Sequence, residues 1–227
     1  MIVAANFKTN KTRKETKEYL AKLKEIDFGG VEVRVYPPLT ALFEEKIVGA
    51  QNAYPTLNGA FTGEVGLEQL KEFDIDKIIL GHSERRHILK ESQEFIAEKF
   101  KFFKEHGFEI MYCIGEPLEV RKEGIDAVVE YLKEQFRGID LGYERLIIAY
   151  EPVWAIGTGV SASVEEIKET HQRIRNLTNR PILYGGSVKL NNIRDILGIE
   201  NVNGVLVGSA SLDVEVFKEM INTAKEI

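Results

Sequence analysis

The chain has a single cysteine, Cys113. It allows no intramolecular disulfide and no thiolate metal cage, and it points to a reducing compartment, the cytoplasm. Long apolar runs are also missing. The first lysine stands at position 8, too early for a signal-peptide core, and no later stretch approaches a membrane-spanning length. Neither secretion nor a membrane partner is expected. Positive charge is in deficit: 30 Lys and Arg against 36 Asp and Glu leave a formal net charge of −6. An acidic surface repels nucleic acid, so no nucleic-acid partner is expected. The same deficit sets a condition, since an anionic ligand would need a local positive field. No G-x-G-x-x-G follows the first strand candidate. That removes the fingerprint of a doubly wound dinucleotide-binding sheet.

What is present is a regular alternation. Strand candidates lie at 2–6, 31–36, 47–51, 77–81, 109–113, 146–150, 182–184 and 204–208. Most are near-continuous apolar runs, the pattern of parallel strands buried on both faces. Amphipathic segments separate them at 14–25, 93–106, 125–136, 164–177, 191–197 and 214–224, with weaker helices near 39–45 and 66–73. In the first, Tyr19, Leu20, Leu23 and Ile26 share one side; in 93–106, Phe95, Ile96, Phe100 and Phe103 do, and Gly107 ends the helix. Eight strands alternating with helices, and no linker, predict one α/β domain over residues 1–227, a (β/α)8 barrel. The stretch QNAYPTLNGAFTGE at 51–64 has no period. It reads as a long loop with a turn at Asn58-Gly59, a length usual for functional or partner-binding loops.

Barrels of this kind build their sites at the carboxyl ends of the strands. The residues found there are Asn6-Phe7-Lys8, Gly81-His82-Ser83-Glu84-Arg85, Glu151, Tyr184-Gly185-Gly186-Ser187 and Gly208-Ser209. Ser187 and Ser209 follow glycines and precede helical segments, so their turns offer backbone N–H groups to an anion. Two such turns, after the last two strands, predict phosphate. Lys8, beside Asn6, is the candidate cation for the same ligand. His82 opens a short helix beginning Ser83-Glu84. A helix N-terminus disfavours imidazolium, so a neutral ring that donates a hydrogen bond is expected. Glu84 supports it, by capping the helix or by pairing with Lys8 or Arg85.

Glu151 closes an apolar strand, and a carboxylate there is costly unless used or paired. Burial is expected to raise its pKa and make it a better base. The segment 153–159 that follows carries Trp154 and Ile156 between Pro152 and Gly157–Gly159. It reads as a flap. A base that makes a carbanion-like intermediate needs such a cover, because water would protonate the intermediate.

The stretches NFK at 6–8, QNAYPTLNGAFTGE at 51–64, GHSERR at 81–86, YCIGE at 112–116, AYEPVWAIGTG at 149–159, YGGSV at 184–188 and VGSASL at 207–212 closely resemble the triosephosphate isomerase family, in its order and from end to end. The resemblance implies reversible isomerisation of dihydroxyacetone phosphate and D-glyceraldehyde 3-phosphate through an enediolate, a step of glycolysis and gluconeogenesis, with no cofactor and no metal. It implies that Glu151 shuttles the proton, that His82 polarises the carbonyl, and that Lys8 and Asn6 bind substrate and steady the enediolate. Backbone N–H groups of Gly157, Ser187 and Ser209 would hold the phosphate, with Gly208 beside them. Cys113 would be a buried neighbour of Glu151. The loop at 51–64, with Thr62 near its tip, would enter a pocket beside Lys8 of a second copy, so a homodimer is expected and a tetramer stays open. Phe7 stands where many members have tryptophan, and Ser209 where glycine is usual; a positive φ there would strain a serine. A different phosphate-binding barrel, such as a lyase or synthase, and a non-catalytic phosphate binder share the fold and the turns. The joint presence of Lys8, His82, Glu151 and an intact flap argues against both.

Overall fold

The computed structural model describes residues 1–156 and 161–227. Among the described residues, seven strands form one parallel sheet: β1 (Ile2–Asn6), β2 (Glu32–Tyr36), β3 (Lys77–Leu80), β4 (Glu109–Ile114), β5 (Leu146–Tyr150), β6 (Ile182–Tyr184) and β7 (Gly204–Val207). Their order is β2-β1-β7-β6-β5-β4-β3. The gap between β2 and β3 is spanned by two isolated parallel bridges, Val35 to Val48 and Ala50 to Ile78. The ring is a nearly closed (β/α)8 barrel. The strand expected at 47–51 is therefore a stepping stone between neighbours. Its backbone bonds Val35 on one side, then switches at Gly49 to Lys77 and Ile79 on the other. A Cβ at Gly49 would lie 2.5 Å from the Tyr36 ring, so only glycine lets the segment pass that closely.

Helices cover the outside. The first, Arg13–Leu23, starts at a Thr12–Glu15 capping box and buries Thr16, Tyr19, Leu20 and Leu23, one stripe at helical spacing. Gln93–Glu105 is capped by Ser92 and buries Ile96, Lys99, Phe100 and Phe103. Expected helices at 125–136, 164–177 and 214–224 form within about two residues of their predicted ends. The weaker pair stay short: 39–45 gives only a 3₁₀ turn, Leu39–Ala41, and 66–73 gives Leu67–Lys71. Leu118–Lys122 is an additional short helix with no buried residue. In the 51–64 loop the turn falls at Thr62-Gly63, closed by the Glu64 N–H donating to Phe61 O, and not at Asn58-Gly59.

Alternation along the strands sorts side chains between two cores. One lies between sheet and helices. The other fills the barrel interior with Ile2, Ala4, Tyr36, Ile79, Met111, Cys113, Ile147, Ala149, Leu183 and Leu206. By the period of two, inward positions at the amino-terminal end include Arg34 and Glu109, which form a bidentate ion pair at 2.7 and 2.8 Å. At the carboxyl end the next inward steps are Asn6 after Ala4, Gly81 after Ile79, Glu151 after Ala149, Gly185 after Leu183 and Gly208 after Leu206. The period that packs the barrel interior thus aims the candidate site residues at its mouth.

Closure between β7 and β1 depends on Gly204, where a Cβ would lie 1.9 Å from the Ile2 carbonyl oxygen. Gly204→Ala is expected to cost more than about 2 kcal/mol. Urea denaturation should register it as a lower midpoint at unchanged slope; an unaltered midpoint would contradict this account of the closure.

Candidate active site

A cleft of about 460 Å³ opens at the carboxyl ends of the strands. Asn6, Lys8, His82, Glu151, Ser187, Gly208 and Ser209 all line it, although they span the chain from the first strand to the last. Gly157, the remaining expected substrate contact, lies outside the described residues. Ser83 and Glu84 stand directly behind His82, and Cys113 is buried one inward step below the mouth.

Lys8 has a left-handed backbone, φ +51, unusual for a lysine. Two side chains hold it there. The Lys8 N–H donates to Asn6 Oδ1 at 3.0 Å, and Gln51 Nε2 donates both to Lys8 O and to Tyr36 O at 2.8 Å. The ammonium reaches Glu84 Oε1 at 2.7 Å, with the side chains 27% and 39% exposed. Between the partners open to Glu84, Lys8 is the one chosen, since Arg85 pairs with Glu91.

His82 is the N-cap of the helix Ser83–His87, and its Nδ1 accepts the Glu84 N–H at 3.3 Å. With Nδ1 committed as acceptor, a neutral ring carries its proton on Nε2. That atom lies 3.1 Å from Glu151 Oε1, and the Ser83 N–H donates to Glu151 Oε2 at 3.3 Å. Both side chains are almost fully buried. Burial works to raise the Glu151 pKa, but the His82 ring and the Ser83 N–H outweigh it and hold the carboxyl below the usual range. The rise expected from burial alone is thus reversed while the two are in contact. Burial works against a charged His82 ring, and the Glu151 carboxylate overcomes it and lifts the ring above the ordinary histidine value. Take that carboxylate out of contact, and burial and the helix amide both favour the neutral ring.

The backbone under Glu151 is clamped. Its N–H donates to Ile114 O at 2.7 Å. Gly115 lies so close that a Cβ would be 1.7 Å from Glu151 O. A short 3₁₀ turn, Val153–Ala155, follows at once. Its Trp154 Nε1 donates to Glu116 Oε1 at 3.0 Å. Glu116 is fully buried and the same oxygen also accepts from Tyr150 and Arg121. Ile156 lines the cleft, and residues 157–160, the expected glycine hinge, are outside the described residues.

The two glycine-rich turns differ from expectation. Ser187 does not head a helix: the next one, Ile193–Leu197, begins beyond Asn192. Ser209 heads a 3₁₀ turn, Ser209–Leu212, in place of an α-helix. It is not among the positive-φ residues, so serine in place of glycine carries no strain there. Gly186 is demanded by contact, since a Cβ would sit 2.3 Å from the Tyr184 hydroxyl.

Residues 1–224 match the family model described as triosephosphate isomerase. The chain belongs to the triosephosphate isomerase family. Triosephosphate isomerases of Nitratiruptor sp. and Sulfurovum sp. are similar to it, at 54% identity over 100% of both chains and 58% over 97% of this chain and 99% of the other. That of Wolinella succinogenes is 55% identical over 97% and 99%. Among the described residues, no helix is long and apolar enough to cross a membrane, and no group of three or more His, Cys, Asp or Glu is arranged to hold a metal ion.

Three contributors were missed in the sequence. Gln51 stands at the head of the aperiodic stretch 51–64, yet it pins Lys8. Glu116 and Arg121 sit around Tyr150; Glu116 ends the stretch YCIGE, but no local pattern marks its role. Because the Glu151 charge is what lifts His82, Glu151→Gln should lower the pH at which His82 titrates. Imidazole nitrogen shifts by NMR measure this directly, and a His82 titration unmoved or raised in the variant would refute the pairing.

Proposed function

We propose that the cleft interconverts dihydroxyacetone phosphate and D-glyceraldehyde 3-phosphate by moving one proton between adjacent carbons. Glu151 removes the proton from the hydroxyl-bearing carbon next to the carbonyl, leaving an enediolate; the hydroxyl proton passes from one enediolate oxygen to the other by way of His82 or the Glu151 carboxyl, and Glu151 returns a proton to the neighbouring carbon. The His82 Nε2–H donates to the oxygen on which charge develops. Being neutral, the ring is a weak acid matched to a weakly acidic enediol, so a hydrogen bond can strengthen without full proton loss. Lys8 and Asn6 add positive potential beside that oxygen. Backbone N–H groups at Ser187, Ser209 and Gly157 hold the phosphate, with Gly208 leaving room beside Lys8. The observation that carries this reading is the His82–Glu151 contact at 3.1 Å, with Nδ1 occupied by the Glu84 amide. To reach a carbon, Glu151 exchanges His82 and Ser83 for substrate, and the segment from Trp154 onward closes over it and keeps water out.

Residues 1–227 work as one barrel domain in the cytoplasm, with no cofactor and no metal. The assembly is a homodimer, with a tetramer the alternative. Thr62 sits on an exposed loop beside Phe61, which is 43% exposed. Ile88 and Leu89 are 71% and 60% exposed. Leu89 borders a hollow of about 310 Å³ lined by Lys8, Gln51 and Glu84. A loop tip from a second copy entering that hollow would cover the apolar pair and back the Lys8–Glu84 contact.

Purified protein should turn over both triose phosphates in a coupled assay. Glu151→Asp withdraws the carboxylate by one methylene and should lower kcat about a hundredfold or more with the fold intact. A near-normal kcat would remove Glu151 as the base. Thr62→Arg should give monomers by light scattering; an unchanged mass would remove the loop from the interface.

A further inference from the structure

The cleft is read as a phosphate site, yet its charges do not favour a dianion. The chain carries a formal net charge of −6. Glu151 brings a buried carboxylate, and the Lys8 ammonium is already engaged by Glu84 at 2.7 Å. Among the described lining residues, the other lysine or arginine is Lys189. It is exposed, and its ammonium has no ion pair or hydrogen-bond partner among the described residues. Among the described lining residues it is therefore the cationic one without a counter-charge.

The backbone around Lys189 is held, so its side chain is rooted at the rim. The Lys189 N–H donates to Asn192 Oδ1 at 2.7 Å, while Asn192 Nδ2 donates to Ser187 O at 3.0 Å. The Lys189 carbonyl accepts from the Asn192 and Ile193 N–H groups at 3.2 and 3.0 Å. One asparagine side chain thus ties the expected phosphate turn to the lysine two residues on.

We propose that Lys189 is a substrate-binding residue that captures the phosphate dianion and holds its outer oxygens, with Asn192 as its positioning residue. This rests on the reading of the cleft as a triose phosphate site. An exposed ammonium at the rim acts over several ångströms and is screened by salt. The Ser187, Ser209 and Gly157 amides hold the phosphate from within the cleft, whereas Lys189 meets it from the exposed rim, so its loss is expected to show in KM more than in kcat. Lys8 differs, because it lies on the Asn6 and Glu84 side, next to His82.

The test compares the parent with Lys189→Ala, Lys189→Glu and Lys189→Arg in the full chain, over a range of ionic strength. Lys189→Ala should lose about tenfold in kcat/KM at low salt through KM, with kcat within about twofold. Lys189→Glu should lose more, and Lys189→Arg should restore most of the loss. The salt dependence of kcat/KM should be shallower in Lys189→Ala than in the parent, a readout that a merely structural role would not move. Titration with inorganic phosphate, followed by NMR, should show binding weakened about tenfold in Lys189→Ala. An inactive parent would sink the site reading, and the phosphate titration would then decide the Lys189 assignment by itself. Equal phosphate affinity with equal salt slopes would overturn it, as would a fall confined to kcat.

Discussion

A parallel strand in a closed ring turns every second side chain inward, and the rest of this molecule follows from that constraint. The inward set below the mouth is apolar and mostly aliphatic, with Ala4, Ile79, Ala149, Leu183 and Leu206 meeting in the interior. One step further up each strand the same geometry aims Asn6, Gly81, Glu151, Gly185 and Gly208 at a shared space. Function at this end costs the fold little, because the side chains that would clash are glycines. A Cβ at Gly185 would lie 2.8 Å from Glu151 Cγ, so the glycine beside the carboxylate is part of the carboxylate's setting.

Within that space one contact governs the electrostatics. Glu151 and His82 are both desolvated, and each is the other's main compensation. The helix beginning at Ser83 decides which atom of His82 faces the carboxylate, because its amide occupies Nδ1. The pair therefore has two settings. Together, they stabilise an ionised carboxylate. Apart, the carboxylate regains basicity from burial and the ring loses its reason to charge. Separating them makes the carboxylate more basic and leaves the ring neutral in one movement.

Much of this was legible in the sequence, and the failures have identifiable physical reasons. Strands buried on both faces announce themselves as apolar runs, so seven were found, most within a residue or two. The eighth candidate, 47–51, has the composition of a strand, but it divides its hydrogen bonds between two neighbours at Gly49. Leu118–Lys122 was missed because it buries nothing and so has no apolar stripe. The residues that line the cleft were legible because chain position predicts location in a barrel. Gln51, Glu116 and Asn192 were not, because each acts through contacts that no local pattern encodes. The strain expected at Ser209 required a φ value, which sequence does not carry; the left-handed residue at the site is Lys8 instead.

Glu116 ties together the backbone on either side of Glu151. One of its oxygens receives Tyr150 from the end of β5, Trp154 from the turn after Glu151, and Arg121 from a short helix. Glu151 lies between two of these anchored residues, with its own N–H on β4. The backbone on both sides of the carboxylate is therefore referenced to one buried charge. Arg121 also bonds Tyr150 and Thr170, so that charge is neutralised by a group that is itself held in place. Beyond Trp154 the described chain leaves this network, and Ile156 turns to the cleft. Anchoring on both sides of Glu151 means that the barrel itself aims the carboxylate into the cleft.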